Sequence, residues 1–76
     1  MSSTASRVFS GARLKAIRKE EGLTGGQLAV RIGVTQAAIS GWENGHWLPN
    51  IDNLVRLTDA LDCRIDDLFQ GARDVA

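Results

Sequence analysis

The sequence predicts an all-α domain of five short helices, and two observations carry that prediction. Apolar residues recur at three- and four-residue spacing from Leu14 to Phe69, which is helical periodicity. The segments bearing that periodicity are bounded by helix signals: Thr24, Thr35 and Asn50 stand where helices open, and Gly22, Gly33 and Gly45 where they close. No stretch alternates apolar and polar residues as a half-buried strand would.

Residues 1–10 are rich in Ser and Thr and read as a mobile tail, with Val8 and Phe9 as candidates to dock on the core. The domain proper spans 11–70, and 71–76 reads as a frayed end. In the first helix, "GARLKAIRKEEG", Leu14 and Ile17 lie on one face and Gly22 supplies a left-handed cap. The second, "TGGQLAVRIG", has a capping-box pattern in Thr24 and Gln27, with Leu28 and Ile32 sharing a face. Its two glycines cost about 1 kcal/mol each relative to Ala, so this helix depends on tertiary packing. The third, "VTQAAISGWENG", opens on Thr35 and turns Ile39 and Trp42 inward. Gln36, Ala37, Ser40 and Gly41 fall on or near its opposite side. After the loop "HWLP", Asn50 caps a fourth helix whose stripe is Ile51, Leu54, Leu57, Thr58 and Leu61. "RIDDLF" gives the fifth, with Ile65, Leu68 and Phe69 inward.

With 76 residues, 43% of them apolar, the chain can build one small core of thin stability. The lone Cys63 excludes an internal disulfide and has no metal-ligand spacing, so it reads as a small core hydrophobe. His46 is the only histidine, and no acid, base or nucleophile stands at a suggestive spacing from it. Gly25-Gly26 is too short for a phosphate-cradling nucleotide loop and lacks the following Lys. An enzyme, a metal site, a cofactor and a small-molecule ligand are therefore not expected. No apolar run approaches the ~20 residues of a membrane span, and the start lacks a signal-peptide core, so a cytoplasmic location is expected.

Nine basic and nine acidic residues give zero net charge, but unevenly spread. Residues 1–31 hold six basic against two acidic side chains, and 51–76 hold three against six. Such a dipolar domain can turn its basic half to a polyanion; an evenly solvated surface is the alternative reading.

The second and third helices meet across Gly33-Val34 with almost no connecting chain, and Ala29 is small enough for close approach. That is a helix-turn-helix, whose second helix is the one offered to a major groove. At this point "LKAIRKEEGLT", "QLAVRIGVTQAAISGWENG", Pro49 and "NLVRLTDALDCRIDDLF" together resemble the Cro/CI-type (XRE-like) helix-turn-helix family of bacterial and phage regulators. The resemblance covers about three quarters of the chain and implies a compact five-helix domain like that of lambda repressor.

The resemblance also implies that Arg18 and Glu43 pair beneath the reading helix; the alternative is two unrelated surface charges. Relatives usually begin the second helix with a Gln that touches phosphate, where this chain has Gly25. The N–H groups of Gly25 and Gly26 can still face an anion. The loop after the reading helix, often basic in relatives, is here "HWL", and the outward position late in that helix, often long and polar, is Gly41.

The reading that follows is a sequence-specific DNA-binding regulator, a repressor acting as a homodimer on a palindrome. Thr35, Gln36, Ala37 and Ser40 are the candidate base readers. Gln36 can pair bidentately with adenine, and Ala37 or the Thr35 methyl can meet a thymine methyl. Arg13, Gly25, Gly26 and Asn44 are the candidate phosphate contacts, with Lys15 and Arg31 as further nearby cations. Leu68 and Phe69 are the first candidates for a dimer surface, Trp47 and Leu48 the competing patch. The alternative is a protein-interaction or antitoxin-like module on the same fold, favoured by the absence of Lys and Arg from Ile32 to Val55.

Overall fold

The computed structural model describes residues 7–71. In chain order these form β1 (Arg7–Phe9), α1 (Gly11–Glu20), α2 (Gly25–Ile32), α3 (Gln36–Glu43), α4 (Ile51–Leu61), a 3₁₀ turn (Ile65–Leu68) and β2 (Phe69–Gly71). Each helix starts on a side-chain oxygen that accepts a first-turn N–H: Ser10, Thr24, Thr35 and Asn50. Such caps satisfy donors that the helix itself cannot. The helices enclose one core of Leu14, Leu28, Ala29, Ile32, Ile39, Trp42, Leu54, Leu57, Leu61 and Leu68.

Two expectations about the ends of the domain are corrected. The described residues hold four α-helices, not five: Ile65–Leu68 closes after a single 3₁₀ turn. Asp67 explains the stop at its start, because its carboxylate accepts the Arg64 N–H at 2.9 Å and its own N–H donates to the Arg64 carbonyl at 2.9 Å. Phe69 explains the stop at its end. Its backbone is extended and pairs antiparallel with Phe9, in a two-stranded sheet that also joins Val8 to Gln70 and Arg7 to Gly71. The Phe9 and Phe69 rings meet edge to face with centroids 6.0 Å apart. Residues 7–10, expected within a mobile tail, are thus built into the domain, while 1–6 and 72–76 lie outside the described residues.

Ser10 is the joint between this sheet and α1. Its N–H donates to the Leu68 carbonyl at 2.8 Å, its carbonyl accepts from Leu14, and its hydroxyl caps Arg13. It is the buried polar residue of the described chain, and all three of its hydrogen-bonding groups are used. Two smaller expectations also change. Ile51 and Ile65, read as inward, are 70% and 44% exposed, because each stands at the first position of its element, off the buried stripe. Cys63 packs half-buried against the core. Burial first, then the carboxylates of Asp67, Asp62 and Glu21, push its thiol above the ordinary range, which keeps it protonated and unreactive near neutral pH.

Helices α1 and α3 touch at Gly11, the first residue of α1. A methyl there would collide with the carbonyl groups of Trp42 and Glu43 at the end of α3, atoms that cannot rotate away. Gly11→Ala must therefore separate α1 from α3, and we expect a loss of about 1–3 kcal/mol in chemical denaturation, the range for overpacking a tight contact. Ala at exposed Lys15 is the control on the same helix, and an equal, small effect of both would show that the contact is not tight.

Candidate nucleic-acid interface

The turn between α2 and α3 follows from a few residues. Thr24 and Gln27 form the complete capping box, each side chain bonding the other's backbone N–H at 3.0 and 2.9 Å. Gly33 then takes φ 77°, a conformation only glycine adopts without cost, and the Val34 N–H closes back on the Ala29 carbonyl at 2.9 Å. The next residue but one is already in α3. Thr35 caps it through the Ala38 N–H at 3.1 Å, so its hydroxyl is occupied while its side chain remains exposed.

Ile39 and Trp42 anchor α3, 1% and 4% exposed, and Gln36, Ala37 and Ser40 point to solvent from the other side. A groove of about 240 Å³ separates this face from α1 and the start of α2, lined by Lys15, Gly25, Gln36, Ser40 and Asn44 among others. Asn44 donates to the Ser40 hydroxyl at 3.2 Å, which fixes both groups along one rim. The N–H groups of Gly25 and Gly26 have no protein acceptor among the described residues, as expected for a first helical turn. The Gln36 side chain rests against α2 at Gly26, its Oε1 3.4 Å from where a Cβ would stand. Its amide makes no hydrogen bond among the described residues.

Beneath α3 the Arg18 guanidinium grips Glu43 with two parallel bonds, Nε to Oε2 at 2.6 Å and Nη2 to Oε1 at 3.0 Å. Its remaining arm donates to the Leu23 carbonyl at 2.9 Å. The two side chains are 11% and 8% exposed. The hydrogen bonds to Glu43 raise the Arg18 pKa above its ordinary value; burial opposes this and the Glu43 charge reinforces it.

Several sequence-named residues are placed otherwise than expected. Arg13, a candidate phosphate contact, turns toward the 3₁₀ turn and donates to the Asp67 carbonyl, an acceptor left open by that turn. Arg31 stands at the far end of α2 beside Arg56 and Asp59, not in the groove. Leu68, a first candidate for a dimer surface, is fully buried in the core, and Phe69 is half-buried with its ring against Phe9. Trp47 and Leu48 are exposed, and the run continues on α4 at Ile51 and Val55. Gly41 is not an open outward position: Trp47 lies over it. That contact has no signal in helical periodicity, because Trp47 belongs to the loop.

A capped helix, a left-handed glycine turn and a second helix standing over an Arg–Glu pair thus make up this part of the molecule. The helix-turn-helix family profile fits residues 14–68. The chain belongs to that family, in its Cro/CI-type branch. Repressor protein C2 of Salmonella phage P22 is 39% identical over 61 residues, 80% of this chain and 28% of that protein. The cryptic phage CTXphi transcriptional repressor RstR of Vibrio cholerae is 39% identical over 56 residues, 74% of this chain and 50% of that protein. The chain thus spans half or less of these relatives. The P22 c2 repressor bound to a synthetic operator superposes with a TM-score of 0.75 at 38% identity, over 80% of this chain and 92% of that one. The biofilm master regulator SinR in complex with DNA gives 0.72 at 32% identity, over 76% and 94%.

The Arg18–Glu43 pair yields a stability test. Removing one partner of a buried pair leaves the other uncompensated, typically at ~3–5 kcal/mol. Glu43→Ala and Arg18→Ala should each lose that much in urea unfolding, and the double variant should lose less than the sum. A Glu43→Ala melting temperature within a degree or two of wild type would mean that the pair does not hold α1 to α3.

Proposed function

We propose that this domain reads double-stranded DNA with α3 as part of a transcriptional regulator, a repressor that binds a palindromic operator as a homodimer. The observation that carries this reading is the exposed side of α3. Gln36, Ala37 and Ser40 form a low-relief face on a helix braced from behind, beside two unpaired N–H groups at the start of α2. A major groove admits a helix of that kind, and small side chains let it approach closely. The N–H groups of Gly25 and Gly26 then meet a phosphate, aided by the helix dipole. Lys15, Ser40 and Asn44 flank the same groove. Similarity to repressors solved on DNA supports the reading.

Two-fold pairing is part of the proposal because one α3 spans only a few base pairs. Leu48, Ile51 and Val55, 71%, 70% and 49% exposed, supply an apolar surface for it. The same three residues are what favours the competing reading, a protein-interaction module. A shift assay on DNA upstream of the gene, across a salt series, separates the two.

With Arg13 engaged by Asp67, few cations remain near the groove, so the salt dependence should be shallow. Each neutralised phosphate adds about 0.9 to the slope of log affinity against log salt, and we expect a slope well below about six per protomer. A steeper slope would mean that the phosphate contacts come from side chains assigned elsewhere in this account.

Gln36 is the long hydrogen-bonding side chain on the exposed face of α3, and its amide can both donate to and accept from one adenine. Gln36→Ala should weaken operator binding about tenfold, within the ~1–3 kcal/mol of such a pairing. Affinity for random duplex and the melting temperature should stay as in wild type. Equal losses on operator and random DNA would assign Gln36 to bracing α2 at Gly26.

A further inference from the structure

The loop after α3 turns back on the helix it leaves. Gly45 takes φ 78°, and the His46 N–H donates to the Gly41 carbonyl at 2.9 Å. The next residue, Trp47, is thereby laid across Gly41. A Cβ at Gly41 would fall within the indole, against Nε1, Cε2 and Cζ2. Gly41 is buried in consequence, yet Trp47 itself is 54% exposed. Gly41 follows Ala37 by one helical turn, on the flank of the face that carries Gln36, Ala37 and Ser40. The indole is therefore continuous with that face and is its largest group. Its Nε1 edge is turned to the helix, so hydrocarbon is what it offers outward.

We propose that Trp47 is a specificity-determining residue for DNA: its indole takes the place of a side chain at position 41 and presents an apolar surface to the major groove beside the base pairs met by Ala37. This rests on the reading of α3 given above. The apolar group that a major groove exposes is the thymine methyl, so the preference it creates is for thymine at those flanking positions. Glycine at 41 is part of the device, because any side chain there expels the ring.

The test is enrichment from a randomised duplex pool by the wild-type protein, Trp47→Ala, Gly41→Ala and Val30→Ala, with melting and sedimentation measured on each. Trp47→Ala should enrich the same central bases but lose thymine at the flanking positions. It should bind the wild-type-selected duplex about tenfold more weakly, with unchanged melting temperature and oligomeric state. Gly41→Ala, which displaces the ring without removing it, should lose the same preference, and Val30→Ala, at an apolar residue 83% exposed on α2, should enrich as wild type does. Wild-type enrichment reproduced by Trp47→Ala overturns the proposal alone. So does a loss shared equally with random duplex, or one that follows loss of the dimer, which assigns Trp47 to the partner surface. A wild-type protein that enriches nothing overturns the DNA reading of α3 and this proposal with it.

Discussion

A single guanidinium holds the geometry of α3. Arg18 binds both oxygens of Glu43 and the Leu23 carbonyl, so one planar group joins α1, the loop before α2 and the end of α3. Its donors have fixed directions, which a lysine could not reproduce. Burial to 11% and 8% removes water as a competitor and makes the pair sensitive to loss of either member. Gly11 works with it: the methyl-sized gap it leaves lets the start of α1 touch the carbonyls of Trp42 and Glu43. A polar clamp and a tight glycine contact, both acting on the last turn of α3, set the angle at which its opposite face meets solvent.

That face is unusual in its chemistry. Arg13 is turned toward the Asp67 backbone carbonyl, Arg18 is paired with Glu43, and no Lys or Arg occurs from Ile32 to Val55. What remains near the groove is Lys15, two helix N–H groups and small neutral side chains. In the proposed reading, attraction to phosphate is weak and fit to the groove is close. Contacts from fixed backbone N–H groups then contribute register, and discrimination falls to Gln36, to Trp47 and to the local shape of the duplex.

The added sheet changes the other end of the molecule. Pairing Arg7–Phe9 with Phe69–Gly71 sets the Phe9 ring against Phe69, while Leu68 is buried in the core that the helices enclose. Exposed apolar side chains stand elsewhere, among them Val30 on α2 and Leu48, Ile51 and Val55 before and along α4.

The local decisions were written in the sequence. Thr24 with Gln27, Thr35, Asn50 and Gly33 set where helices begin and turn, because capping and left-handed backbone depend on residues two to four apart. The buried stripe of Leu28, Ile32, Ile39, Trp42, Leu54, Leu57 and Leu61 followed from the same short-range periodicity. What only the tertiary structure decided involves residues far apart in the chain. The Phe9–Phe69 pairing was invisible because three-residue strands carry no alternation to read. It in turn shortened the expected fifth helix to one turn. Arg18 and Glu43, 25 residues apart, are linked by no spacing rule, and it was family resemblance that named them together. Nothing local reveals that the Asp67 carbonyl lies within reach of Arg13. Gly41 was read as an open position because periodicity gives the direction of a helix face. It cannot say that a loop residue six positions on will fold back to occupy it.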